Sequence, residues 1–298
     1  MEDLAVQLLS FSGATLRLAA PLVLAALAGL YSERAGVIAL GLEGMMLTGA
    51  FAAAAVAALT GSPWPGLAAA AAAGTALALL HGWVCVGRGG DQVVSGVALN
   101  ILAAGLTATL ASAWFGLGGQ TPLLPAAARV PSLLGINLMI WLALPLVPAT
   151  VWLLAESRFG LRLRAAGDNP AAVKSAGVDV AALRFRALAI CGALAGLAGA
   201  YLAIAHGSGF IRDMTAGKGY LALAALIFGR WRPWPTLLAC LLFAGTDAAQ
   251  MRLQGAFGDL PVQAIQALPY LVTVLVLAGM AGGGAAPRAL GRPWPPPR

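Results

Sequence analysis

The sequence predicts an all-α fold, a polytopic transmembrane helical bundle of about 8 to 10 spans that includes broken or re-entrant helices. Three observations predict it. Of 298 residues, 60% are hydrophobic and only 10% charged, far from the roughly 45–50% apolar and 25% charged of soluble domains. The charges are segregated, with none in 44–87, 92–128, 130–155, 187–211 or 260–287. Each of those runs meets or exceeds the ~20 apolar residues that cross a hydrocarbon core, and the first two have room for more than one crossing. Helices follow, because lipid offers no water to an open sheet edge.

Taking apolar windows in order, with Gly, Pro and charge as punctuation, places spans near 12–30, 40–60, 65–87, 97–115, 136–155, 185–205, 217–229, 233–250 and 263–282. The stretch 32–42 reads as irregular. Segment 217–229 is short for a crossing and reads as a half-helix or re-entrant piece. Pro21, Pro145, Pro148 and Pro269 fall inside spans, where a missing amide usually bends a helix. Residues 1–286 form one transmembrane domain with a polar loop at 156–186, and 287–298 form a tail.

Charge gives orientation. The 156–186 loop holds six basic residues, Arg158, Arg162, Arg164, Lys174, Arg184 and Arg186, against Glu156, Asp168 and Asp179. That excess predicts a cytoplasmic loop. The tail, with Arg288, Arg292 and Arg298, and the "GRWRPW" turn, with Arg230 and Arg232, fall on the same side if 217–229 crosses; the 115–135 loop and the amino terminus then face outward. The net charge of +7 is thus accounted for by membrane loops rather than by nucleic acid. Cys85, Cys191 and Cys240 lie in apolar runs without CxxC spacing and read as buried small hydrophobes, with no metal or disulfide framework. The opening "MEDLAVQLL" lacks the positive region of a cleaved signal peptide, so the first helix is expected to be retained.

"GDNPAAVKSAGVD" (167–179) is a polar passage between oily runs. Asp168 or Asn169 can cap free amides, Pro170 suits the first helical position, and Gly177 supplies a left-handed exit. The helix between them is too short to stand alone, so it must dock. Its surface is Ala171, Ala172, Val173 and Ala176, with Lys174 at the rim. A helix lying on lipid would carry large apolar anchors; one built from alanine suits close insertion into a protein groove, with packing on its own bundle as the plain alternative.

"YSERAGVIALGLEGMMLTGAF" (31–51), "GDNPAAVKSAG" (167–177) and "MTAGKGYLALAALIFGRW" (214–231) resemble the permease subunits of bacterial ABC importers for nucleosides and simple sugars, within the branched-chain amino acid and ribose permease family. The resemblance covers about residues 12–282. It implies a multi-pass inner-membrane subunit with a cytoplasmic C-terminus, paired with a second, different permease chain, an ABC ATPase subunit that binds ATP and Mg, and a solute-binding protein. No cofactor is expected in this chain, which has no GxxxxGK[ST] motif and is not expected to be an enzyme. The resemblance makes Gly167, Asp168, Asn169, Pro170, Ala171, Ala172, Lys174, Ala176 and Gly177 the coupling helix that contacts the ATPase. Relatives commonly read "GVINIGLEG", so Ala39 here replaces a polar amide. "GDQVVSGVALN" (90–100) is also similar, and Gln92 and Asn100 carry over as pathway candidates.

Glu43, between Gly41 and Gly44, is an expensive carboxylate at membrane depth. It reads either as a pathway or hydrogen-bonding group at a broken helix or as a partner of Arg34 near an interface. Asp247 either lines the outer mouth or caps a span end near Arg252. Phe51, Phe210, Phe228 and Tyr220 are the stacking candidates, with core packing as the default; Phe51 and Tyr220 are assigned to the pathway. Trp64, Trp141, Trp231 and Trp234 read as interfacial belting. His206 reads as a loop residue at the outer interface, and His81 alone makes no metal site. "GALAGLAGA" (192–200) repeats small residues at close-packing spacing, as static packing or as a dimer seam. A secondary transporter with discontinuous helices is the alternative function, and the sequence shows neither HExxH nor a paired nucleophile for a membrane enzyme.

Overall fold

Three helices meet at the centre of the bundle because glycine lets them. They are α2 (Leu42–Thr60), α3 (Pro63–Gly82) and α8 (Val180–Ala200). A Cβ on Gly196 would strike the Ala70 carbonyl, one on Gly192 the Gly74 carbonyl, and one on Gly199 the Met46 carbonyl. Backbone therefore touches backbone, which is how membrane helices associate when lipid removes the hydrophobic drive between them. The "GALAGLAGA" run packs against α2 and α3 of the same chain.

These features come from a computed structural model that describes residues 2–256, 271–272, 274–275 and 286–294. The other helices are α1 (Glu2–Arg34), α4 (Gln92–Phe115), α5 (Leu138–Glu156), α6 (Arg158–Asp168), α7 (Pro170–Ser175), α9 (Lys218–Phe228) and α10 (Pro233–Ala256). α1 packs along α8, α9 and α10. Two strands, β1 (Ser132–Leu133) and β2 (Ile136–Asn137), make a small antiparallel hairpin ahead of α5. Its turn, Leu134 and Gly135, has φ of 54° and 75°, the left-handed pair that a two-residue hairpin requires.

Six helical stretches among the described residues are long and apolar enough to cross a membrane: Gln7–Arg34, Leu42–Thr60, Pro63–Gly87, Gln92–Phe115, Leu138–Glu156 and Val180–His206. They coincide with the first six expected spans. Pro21, Pro145 and Pro148 lie inside continuous helices. α4 starts earlier than its apolar run suggests because Asp91 caps it, accepting from the amides of Val93 at 2.8 Å and Val94 at 2.9 Å. α9 has 11 residues, about 16 Å at 1.5 Å per residue, and is short for a crossing, as its apolar window suggested. α10 occupies the 233–250 window; the window 263–282 and Pro269 lie outside the described residues.

Among its breaks in helical course are the 35–41 corner between α1 and α2 and the 207–217 approach to α9. Cys85, Cys191 and Cys240 are free and buried, as expected. Among the described residues no three His, Cys, Asp or Glu side chains gather as a metal site.

Candidate functional site

The α1–α2 corner is a self-bonded turn. The Ser32 hydroxyl donates to the Val37 carbonyl at 2.8 Å, and the Val37 amide returns to the Ser32 carbonyl at 3.1 Å. Beyond it Glu33, only 3% exposed, accepts from the Trp231 indole at 2.6 Å and the Ala39 amide at 3.3 Å. Arg34 grips the Trp231 carbonyl through Nε at 2.9 Å and Nη2 at 2.5 Å. Of the two readings of Glu43 the structure takes the hydrogen-bonding one, since Glu43 accepts from amides and Arg34 bonds the Trp231 backbone. One expectation is corrected here: Trp231 is buried as a donor to Glu33, not placed as an interfacial belt, because a buried carboxylate requires a donor. Trp64, Trp141 and Trp234 are exposed. A Trp231→Phe variant removes that donor while sparing the backbone grip. It is expected to cost about 2 kcal/mol, read as a fall of roughly 5 °C in thermal midpoint in detergent.

The second break docks on the first turn of α2. The Glu43 carboxylate, in the first turn of α2, accepts from the Gly217 amide at 2.8 Å through Oε1 and from the Gly219 amide at 2.6 Å through Oε2. An anion from one helix thereby satisfies the free amides and the positive end of another. Asn100 completes the splint. Its Oδ1 accepts from Gly44 N at 2.8 Å, while Nδ2 donates to Leu40 O at 2.9 Å and to the Tyr220 hydroxyl at 2.8 Å. The approach is close: a Cβ on Gly219 would come within 2.6 Å of Glu43 N, and one on Gly44 within 2.9 Å of both Asn100 Oδ1 and Leu99 O. The loop is held in costly backbone, with Asp213 at φ 56° and Ala216 at φ 46°, each strained by about 1–2 kcal/mol.

Beside this junction lies a cavity of about 300 Å³, at the lower end of the range for small-molecule sites. Glu43, Asn100, Asp213, Thr215 and Tyr220 supply its polar wall and Leu47, Ile101 and Ala104 its apolar one. Larger cavities, of about 560 and 460 Å³, flank α7, the first with Asp168, Asn169, Arg288 and Arg292 in its lining and the second with Arg162, Asp168 and Asn169; both lie at the polar end of the chain, away from this junction. Of the six pathway candidates the structure gathers three, Glu43, Asn100 and Tyr220. Gln92 is buried at the corner and accepts from Ile38 N at 2.8 Å. Phe51 is buried between Trp114 and Phe210, ring centroids 5.6 and 5.4 Å away. Asp247 is half-buried on α10, outside the cavity lining, and its expected neighbour Arg252 instead bonds Ser10 and covers the Phe11 ring.

Ala39 is 2% exposed, its Cβ 3.6 Å from where a Cβ on Gly29 would stand, and it does not line the cavity. Phe228 packs on Phe243, and His206, exposed, stacks on Tyr201. His81 is buried, with Ser95 Oγ at 3.0 Å and Ile38 O at 3.2 Å.

At the polar end, α7 is built as its sequence predicts. Asn169 caps it by accepting from Ala172 N at 3.1 Å, Pro170 takes the first position, and Gly177 exits at φ 79°. Asp168, the other capping candidate, accepts instead from Arg288 N at 3.3 Å. Val173 alone on this helix is buried, against Ala166, Val180 and Leu183. Ala171, Ala172, Lys174 and Ala176 are exposed. The C-terminal segment straps the elbow to the corner, with Ala289 N on Gly167 O at 2.8 Å and Gly291 N on Gly36 O at 3.2 Å.

Residues 12–284 match the family described as the branched-chain amino acid transport system / permease component. The chain belongs to this family. The permease is 36% identical to the guanosine ABC transporter permease protein of Bacillus subtilis, over 97% of this chain and 98% of that one. It is 36% identical to a candidate glucose ABC transporter permease of Haloferax volcanii, over 89% of each. The nucleoside ABC transporter permease of Lactococcus lactis is 33% identical, over 91% of this chain and 92% of its own length. No solved structure matches the permease. It is a transport subunit rather than an enzyme, and in such systems ATP is hydrolysed in a separate subunit.

Sequence reading missed Asp213, Thr215, Glu33 and Arg184. Arg184 was counted as one more loop charge, yet it is fully buried and donates to Ala35 O at 3.1 Å and Arg292 O at 3.2 Å. A charge inside the apolar start of α8 was the available signal.

Proposed function

We propose that the permease is one half of an ATP-driven importer for nucleosides or related simple sugars in the bacterial inner membrane, and that α7 is its coupling helix. The observation that carries this is the construction of α7: a capped two-turn rod held by Val173 alone, offering Ala171, Ala172, Lys174 and Ala176 outward. Smooth alanine surface beside two grooves favours a seat in a neighbouring ATPase, which would bind the ATP and Mg. The named activities of the relatives support the substrate class, and a solute-binding protein would deliver the ligand. In this reading the 156–186 loop and the C-terminus lie in the cytoplasm, and α9, α10 and the 263–282 window bring the membrane-inserted segments to 8–10.

A second, different permease would close the pathway. The spanning windows of α4 and α5 are 33% buried, against 67% for α1 and α2 and 72% for α8. Tyr220 and Ile101 at the cavity are 46% and 69% exposed. The cavity is lined on one side by Asn100, Ile101 and Ala104 of the sparsely covered α4, where a partner chain and lipid would meet it.

Ala172→Trp tests the coupling helix. The variant is expected to insert normally, lose ATPase co-purification and lower uptake at least ~10-fold, since overfilling a close-packed contact is strongly unfavourable. A cysteine replacing Lys174 is expected to react only from the cytoplasmic side. Because a broken segment, 207–217, lines the cavity, as in secondary transporters, the chain alone in proteoliposomes is the control; gradient-driven uptake there, or normal uptake by Ala172→Trp, overturns the reading.

A further inference from the structure

We propose that the cavity beside Glu43 is a polyol-binding site, with Asp213 and Tyr220 as the groups that contact the ligand and Glu43 and Asn100 as positioning residues. The inference rests on the nucleoside and sugar reading above and deepens it. Hydrogen-bonding capacity separates the two roles. Asn100 has spent both amide protons, on Leu40 O and Tyr220 Oη, and its oxygen already holds Gly44 N. Each Glu43 oxygen already holds a backbone amide of the α9 entrance. These two side chains fix the walls.

What remains to offer a ligand is different. The Tyr220 hydroxyl accepts from Asn100, so its own proton is directed elsewhere, and the residue is 46% exposed at the cavity. Asp213 lines the same cavity with its side chain 66% exposed; its contact with Arg212 is long, 4.0 Å, and between two open side chains. A carboxylate only accepts, and its two oxygens match two adjacent hydroxyl donors.

No Lys or Arg is among the described residues lining the cavity, which disfavours phosphate or carboxylate ligands. The Glu43 charge is turned to the amides of the α9 entrance, which leaves Asp213 as the carboxylate open to the cavity. An acceptor-rich wall with one hydroxyl donor and an apolar side made by Leu47, Ile101 and Ala104 suits a non-anionic ligand carrying vicinal hydroxyls. A furanose or pyranose ring has that chemistry; its apolar face can rest on the aliphatic wall while the diol reaches Asp213.

The test compares uptake of a ribonucleoside with its 2′,3′-dideoxy analogue by the complete reconstituted importer. The unmodified protein is expected to prefer the ribonucleoside by at least ~10-fold in kcat/KM, the discrimination available to a site that hydrogen-bonds a hydroxyl. Asp213→Asn and Tyr220→Phe, at exposed positions, should each erase most of that preference, chiefly by raising the KM of the ribonucleoside. Glu43→Gln should slow both substrates together and keep their ratio, as positioning requires. An unchanged ratio in Asp213→Asn and Tyr220→Phe, or no preference in the unmodified protein, overturns the polyol site and leaves the importer standing. If the intact importer moves neither nucleosides nor sugars, the proposed function itself fails, and the polyol site with it.

Discussion

Replacing Glu43 with alanine is expected to abolish uptake while the chain still inserts in the membrane. The carboxylate is the acceptor for two amides, Gly217 N at 2.8 Å and Gly219 N at 2.6 Å. Removing it strands both donors at a helix entrance and deletes the anion facing the positive end of α9. At about 1.5–3 kcal/mol for each hydrogen bond to a charged group, the loss is roughly 3–6 kcal/mol, a large share of typical domain stability. The cost is local, because the α2–α3–α8 contacts lie elsewhere, so the outcome is a released α9 entrance rather than general unfolding. Glutamine at the same position keeps one side-chain oxygen and should recover part of the thermal midpoint. A cysteine replacing Ala216 reports the release directly: its alkylation should quicken in the Glu43→Ala background. Unchanged uptake together with an unchanged alkylation rate would show that Glu43 does not hold the half-helix.

That junction illustrates what a linear reading can reach. Glu43 stood out because a carboxylate at membrane depth must find a partner, and the short 217–229 window announced a half-helix. What could not be read was that each is the other's answer, since 174 residues separate Glu43 from Gly217. The six long spans were legible because apolar length is written locally, and α7 was legible down to its cap and exit because caps and left-handed glycines act within a few residues. Asn169 rather than Asp168 took the cap because Asp168 faces the C-terminal strap, a contact between segments 120 residues apart. Trp231 was misplaced for a related reason: a tryptophan at a span end reads as interfacial until a buried Glu33 is brought to its indole. Asp213 escaped notice because an acid beside an arginine in a polar loop resembles ordinary solvated surface; only the cavity gives it a use.

Gly199→Leu is expected to prevent folding, and the reason decides between two readings of the small-residue run. At Gly199 even a Cβ would collide with the Met46 carbonyl and lie 2.8 Å from Ala50 N. Those are backbone atoms of α2, which cannot rotate aside as a side chain can. Admitting a leucine therefore means parting α8 from α2. Parting them also loosens Gly196 from Gly49, whose own Cβ would fall within 2.4 Å of the Gly196 Cα, so one substitution loses packing along the α2–α8 seam. The penalty falls in the exceptional class above about 4–5 kcal/mol, and accumulation in the membrane should drop sharply.

Gly105 on α4 supplies the contrast. Nothing lies within 4 Å of a Cβ there, so Gly105→Ala should be neutral or stabilise by up to about 1 kcal/mol through helix propensity alone. Were the 192–200 run a seam between two permeases, Gly199→Leu would instead give a folded chain defective only in pairing. Comparing membrane-inserted yield and monodispersity of the two variants separates these outcomes, because static packing predicts loss of the single chain before any partner is met.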